Sequence, residues 1–200
     1  MYIYSFLFGY GALLAPSVWR RRGIDERLGG ARSPVRVTAV GRELIFNVRG
    51  GYASVEEMLM PPGVSERGAA SEAHGIIVPV SPKELGLHAA KEGGYDLKTI
   101  RRVRPYGSSL ELEVLAFVSS WWRRVPKNQK PSQSYLDLIR CGARERGLSS
   151  AYCAMLDSVT PASPADRAGQ QAVLTPNDLV GRAVVAGAAS ALLALYLTWP

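Results

Sequence analysis

Two hundred residues, of which 47% are apolar and 20% charged, exclude a disordered or low-complexity chain and suffice for one domain with a real core. The formal net charge of +7 suits an acidic substrate, nucleic acid or an anionic membrane surface, and does not choose among them. Two cysteines, Cys141 and Cys153, are too few for a disulfide scaffold and lack zinc-type spacing, so reduced thiols of an intracellular protein are expected.

In chain order, residues 2–8 form an aromatic and β-branched run that stops at Gly9, which predicts a buried strand ending on a glycine turn. It shows no basic n-region or small-residue cleavage pattern, so no signal peptide is expected. Gly9 and Gly11 flank Tyr10, and a backbone turning there can present several N–H groups to a carboxylate or carbonyl oxygen; the plainer alternative is a tight turn. Residues 16–22 suggest a turn or two of helix, and Gly29, Gly30 and Pro34 a loop. Residues 35–48 alternate apolar and polar and break near Gly41, giving two strands or one bent strand. Residues 50–70, rich in Gly, Pro and charge, read as a loop. Residues 73–80 read as a strand, with Pro79 marking an edge or strand end.

Ser81, Pro82 and Glu84 carry the signature of a helix start. That helix runs through His88 to Glu92-Gly93-Gly94. Strands follow at 96–103 and 109–119, turning at Pro105 and Gly107. Pro131 and Ser132 introduce a helix over 134–146 with Tyr135, Leu138, Ile139 and Gly142 on one face, and 150–156 is a further short helix. Strands and helices do not alternate regularly. An α+β fold follows, with a six-strand mixed sheet curled into a small barrel and helices packed outside.

Glu92 is the candidate acid–base residue. A carboxylate at a helix C-terminus faces the negative end of the macrodipole, and partial burial would raise its pKa further, toward the range of a general base. A solvated glutamate in a helix-ending turn is the alternative.

Phe8-Gly9-Tyr10-Gly11-Ala12-Leu13 resembles the strand-end motif of the γ-glutamylcyclotransferase superfamily, especially its glutathione-specific ChaC-type branch, whose form is Phe-Gly-Tyr-Gly-Ser-Leu. Lys91-Glu92-Gly93-Gly94-Tyr95 is similar to the family's catalytic-glutamate segment, 75–80 to the strand before that helix, and the stretch from Pro131 through Tyr135 to Leu148 to its C-terminal helix. The resemblance covers residues 1 to about 156, in the family's order. It implies a mixed β-barrel enzyme that releases 5-oxoproline from a γ-glutamyl peptide or amine, glutathione among them, without metal or cofactor. Glu92 would carry the proton, main-chain N–H groups from Gly9 to Ala12 would hold a carboxylate or the oxyanion, Phe8 to Leu13 would form the binding tip, and Tyr95 and Tyr135 would line the pocket. For Tyr135 an ordinary amphipathic tyrosine is the alternative. Two departures bear on substrate choice: Ala12 replaces the usual serine, and Lys91 the usual arginine, which keeps charge but not bidentate geometry. The rival reading is a non-catalytic relative that keeps the pocket as a small-molecule binding module, acting as a membrane-attached adaptor.

Trp121-Trp122-Arg123-Arg124, with Lys127 and Lys130, has the composition of a stacking, phosphate-neutralising strip; a strand end with a solvated basic flank is preferred, and nucleic acid is not an expected partner. His74 and His88 stand alone, with no metal or triad spacing. The catalytic domain is placed at 1–159 and a polar linker at 160–182. Residues 183–199 hold no charge and would make an apolar helix of nearly membrane-spanning length, flanked by Arg182 and Trp199. A C-terminal tail anchor holding the domain in the cytoplasm is expected, with a buried or dimerising helix as the alternative.

Overall fold

The computed structural model describes residues 4–22, 33–58, 72–125 and 129–172. Six strands, β1 (Ser5–Gly9), β2 (Val35–Val48), β3 (Tyr52–Glu57), β4 (Glu72–Val80), β5 (Tyr95–Pro105) and β6 (Leu112–Ser119), pair in the order β3-β2-β4-β1-β6-β5. A further pairing of β2 with β5 closes five of them into a barrel and leaves β3 attached to the far half of β2. Among the described residues only the β1–β6 pair runs parallel. The expected mixed barrel is observed, but five strands close it and not six, with β3 as an extension beside it.

β2 is a single bent strand. Its first half pairs with β4 and β5 and its second half with β3. The register against β4 shifts between Ala39 and Glu43 around Gly41, whose φ of 73° suits glycine and few other residues. Pro79 lies near the end of β4, past the last residue that pairs with β2, where a missing N–H costs no ladder bond.

The strands split the core by their two-residue period. Phe8, Ile77, Val37, Ala39, Ile100 and Val114 point into the barrel, where Leu136, Ile139 and Leu156 of the helices join them. Leu7, Ile76, Val78 and Phe117 point the other way and pack around Trp19 of α1 (Pro16–Arg21). Each fully buried Leu, Ile or Phe contributes about 1.5–3 kcal/mol.

α2 (Pro82–Ala89) begins as expected. Ser81 accepts from the Glu84 amide, and the Glu84 carboxylate accepts from Ser81 N at 2.7 Å, a reciprocal cap. α3 (Gln133–Glu145), capped by Ser132, buries Leu136, Ile139, Gly142 and Ala143, and α4 (Ser150–Ser158) packs beside it.

Two expectations need correction. The loop expected at 50–70 contains β3, because Ala53 and Val55 alternate inward and Gly50-Gly51 form a hairpin turn from β2. The linker expected from 160 contains α5 (Pro164–Ala172), where Asp166 N donates to Ser163 Oγ and Ser163 N to Asp166 Oδ2. Ala162 N also donates to Pro131 O at 2.8 Å, which ties this segment to the domain. The apolar run at 183–199, with its expected anchor, lies outside the described residues. Among the described residues no helix is long and apolar enough to cross a membrane.

Candidate functional site

β1 ends at Gly9, and the chain turns at once into a 3₁₀ turn over Gly11–Leu14. Gly11, at φ 55°, sits where a Cβ would lie 3.3 Å from the Tyr135 hydroxyl and 3.4 Å from Ala53 Cβ. The backbone therefore passes close under α3 and β3, in a conformation that favours glycine. From the other side, α2 ends at Ala89 and a tight turn carries Lys91 and Glu92 to Gly94. Between the two lies a cleft of about 320 Å³, lined by Tyr10, Ala12, Leu13, Glu92, Tyr95 and Tyr135 of the expected residues. Tyr52, Ala53, Phe117 and the cations Arg22, Lys91 and Arg123 complete its wall.

Phe8, Gly9 and Gly11 do not line it. Phe8 is fully buried in the barrel and stacks on Tyr10. Gly9 lies in β1 opposite Ile76, where a Cβ would stand 2.9 Å from the Trp19 ring. Gly11 is buried beneath the cleft floor. Of the main-chain donors expected from Gly9 to Ala12, the Ala12 amide faces the Tyr135 hydroxyl; the next amide along, that of Leu13, is spent on Tyr10 O.

Three of the cleft's four phenols are buried or half-buried in its wall. Tyr10 donates to the Phe117 carbonyl. Tyr95 donates to Ala53 O at 2.8 Å, and Ala53 N donates to the Tyr135 oxygen at 3.2 Å. Burial pushes the Tyr135 phenol up to about 12, eased by the Ala53 amide and raised again by Glu92. Burial also raises Tyr10 and Tyr95, each reinforced by Tyr135. All three remain neutral hydrogen-bonding groups near pH 7.

Glu92 is 13% exposed at its side chain and pairs through Oε1 with Arg22. No hydrogen bond reaches Oε2 among the described residues. Nothing in the spacing of the sequence marks Arg22, which comes from the end of α1. The guanidinium is held in turn by His88, whose Nδ1 lies 3.1 Å from Arg22 Nη1. The His88 ring is fully buried against Trp19 at 4.9 Å between centroids. Burial, with Arg22 and Lys91 adding to it, lowers His88 from 6.5 to about 4, and burial alone lowers His74 to a similar value.

These histidines set a pH dependence of stability. Both stay neutral in the folded chain down to about pH 4, while the unfolded chain takes up their protons below about 6.5. Stability is therefore fully present above pH 6.5 and is lost as pH falls toward 4. Urea midpoints between pH 7.5 and 4.5 should fall across this window, with a smaller fall in a His74→Phe variant; a flat profile would refute the assignment.

Neither a family model nor a curated protein sequence matches the chain. Solved structures do. A structure described as γ-glutamyl cyclotransferase superposes with a TM-score of 0.59 at 18% identity, covering 84% of this chain and 99% of its own. A Homo sapiens protein described as uncharacterised gives 0.59 at 18% identity, covering 84% and 98%. YkqA from Bacillus subtilis gives 0.61 at 17% identity over 80% of this chain, which spans 56% of YkqA. The chain has the γ-glutamylcyclotransferase-like fold.

Proposed function

We propose that the chain is a γ-glutamylcyclotransferase that releases 5-oxoproline from a γ-glutamyl peptide or amine. The observation that carries this reading is one cleft lined by both Glu92 and the Tyr10–Leu13 turn, two segments far apart in sequence. In this reaction the substrate's α-nitrogen attacks its own γ-carbonyl carbon. The new C–N bond closes a five-membered lactam, and the old amide C–N bond breaks to free the amine. Nucleophile and electrophile share one molecule, so the protein's work is to fold the substrate and move its protons. The α-nitrogen enters as an ammonium group and ends as a lactam N–H, so it gives up two protons. Glu92 takes the first and passes it to water before the attack, then takes the second from the attacking nitrogen and hands it to the leaving nitrogen. Arg22 fixes Oε1 and leaves Oε2 for the transfer. The tyrosines fix the substrate's orientation, and the Tyr135 hydroxyl, whose oxygen accepts from the Ala53 and Ala12 amides, offers its proton to the developing oxyanion.

Incubating the native chain with glutathione, γ-glutamylalanine and γ-glutamylethylamine, while following 5-oxoproline, tests the proposal. Release from at least one substrate is expected. Binding of all three without any product would make the chain a binding module, the reading that the missing hydroxyl at Ala12 favours.

A further inference from the structure

The cleft contains a cation with no counter-charge among the described residues. Arg123 closes the 3₁₀ turn over Trp121–Arg123 that follows β6. Its backbone is held on both sides, since its amide donates to Ser120 O at 2.9 Å and its carbonyl accepts from Arg49 N at 3.0 Å. Its side chain crosses Gly94, where a Cβ would lie 2.8 Å from Arg123 Nε and 2.9 Å from Cγ. The arginine stem thus occupies space that glycine leaves open, two residues from Glu92. The guanidinium lies 5.6 Å from the centre of the Trp122 ring, Nε is buried without a hydrogen-bond partner, and no carboxylate pairs with it among the described residues.

The neighbouring charges cannot supply the missing anion. Glu92, the cleft's one carboxylate, is paired with Arg22, and Lys91 Nζ donates to Arg21 O at 3.1 Å. Among the described residues, three cations therefore line the cleft against one committed acid. A partly buried guanidinium with an unpartnered donor is costly unless something completes it, and its forked donors match a carboxylate.

We propose that Arg123 is a carboxylate-binding residue of this cleft, selecting γ-glutamyl substrates by a carboxylate placed at that wall. The proposal rests on the cyclisation reading above for the identity of the ligand. Two carboxylates share the required chemistry: the α-carboxylate of the glutamyl unit and that of the departing amino acid.

Three probes separate them: γ-glutamylalanine, γ-glutamylethylamine, which lacks the departing carboxylate, and the glutamyl α-carboxamide of γ-glutamylalanine. Each is assayed for release of its departing amine, alanine or ethylamine, with the native chain, Arg123→Gln and Arg123→Lys. Arg123→Gln should lower kcat/KM for γ-glutamylalanine by about 10- to 100-fold, the usual scale of a charged hydrogen bond. The loss should nearly vanish for the probe that lacks the bound carboxylate, and that probe names the source. Arg123→Lys should recover part of the loss. An equal loss with all three probes, or none, overturns the proposal.

The same probes titrated onto Glu92→Gln by calorimetry, with and without Arg123→Gln, make the comparison without turnover. Carboxylate-dependent binding lost in Arg123→Gln, with no product from the native chain, would uphold this subsite and end the cyclisation reading. Product formed with kinetics indifferent to Arg123 would do the reverse. Neither product nor binding would end both.

Discussion

Glu92→Gln should lower 5-oxoproline release by about 10²- to 10⁴-fold, the usual range for removing a positioned general base, with little change in KM. Glutamine has the same shape, and its amide oxygen can still accept from Arg22, so the wall of the cleft is kept while the proton acceptor is lost. Glu92→Asp keeps the acceptor but withdraws it by one methylene, which weakens both the approach to substrate and the contact with Arg22. It should fall between the two. A thermal unfolding midpoint close to that of the native chain would show that the loss is chemical. Native turnover in Glu92→Gln would remove this residue from the mechanism.

The second large effect is on stability. Gly142 lies in α3 where a Cβ would stand 2.6 Å from Ala15 N and 2.7 Å from the Leu14 carbonyl carbon. Both are main-chain atoms at the end of the 3₁₀ turn that forms the cleft floor, and they cannot swing aside as a side chain can. Alanine ordinarily favours a helix over glycine by up to about 1 kcal/mol. Here the overpacking should outweigh that gain, for a net loss of about 2 kcal/mol. Gly142→Ala should also push α3 outward, moving Tyr135 off the Ala53 amide and raising KM. Gly86 in α2 is the internal control, since a Cβ there meets nothing within 4 Å. Gly86→Ala should stabilise by about 0.5–1 kcal/mol. Urea unfolding of both variants checks the pair, and a Gly142→Ala protein as stable as the native chain would refute the packing argument.

What could be read from the sequence was what is local. The strand ending at Gly9, the reciprocal cap at Ser81 and Glu84, and the α3 face bearing Tyr135 and Ile139 are each encoded within a few residues, and the structure has them. β3 escaped because charge and proline around 56–66 diluted a short alternation, although Gly50-Gly51 ahead of it is a hairpin signal. α5 escaped for a different reason. Ser163-Pro164 with Asp166 repeats the pattern used at Ser81, but it sits within a polar, proline-containing stretch with no apolar run after it to mark a packed face. Arg22 and Arg123 could not be found from spacing at all, since each reaches the cleft only once the barrel has closed. Phe8 and Gly9 show the converse. Their place in a motif reflects the packing that holds Tyr10 and Ala12 in position, and not contact with the cavity.

A single residue, Ala53, serves Tyr95 through its carbonyl and Tyr135 through its N–H. Because the donor and acceptor belong to the main chain, no exchange of the residue's side group short of proline can delete them by itself. Their weak point is alignment instead. Sliding β3 by one position along β2 would bring Tyr52 or Ser54 opposite the two phenols and turn the strand's inward residues outward, so whatever fixes the hairpin's register also governs the polar frame around the cleft.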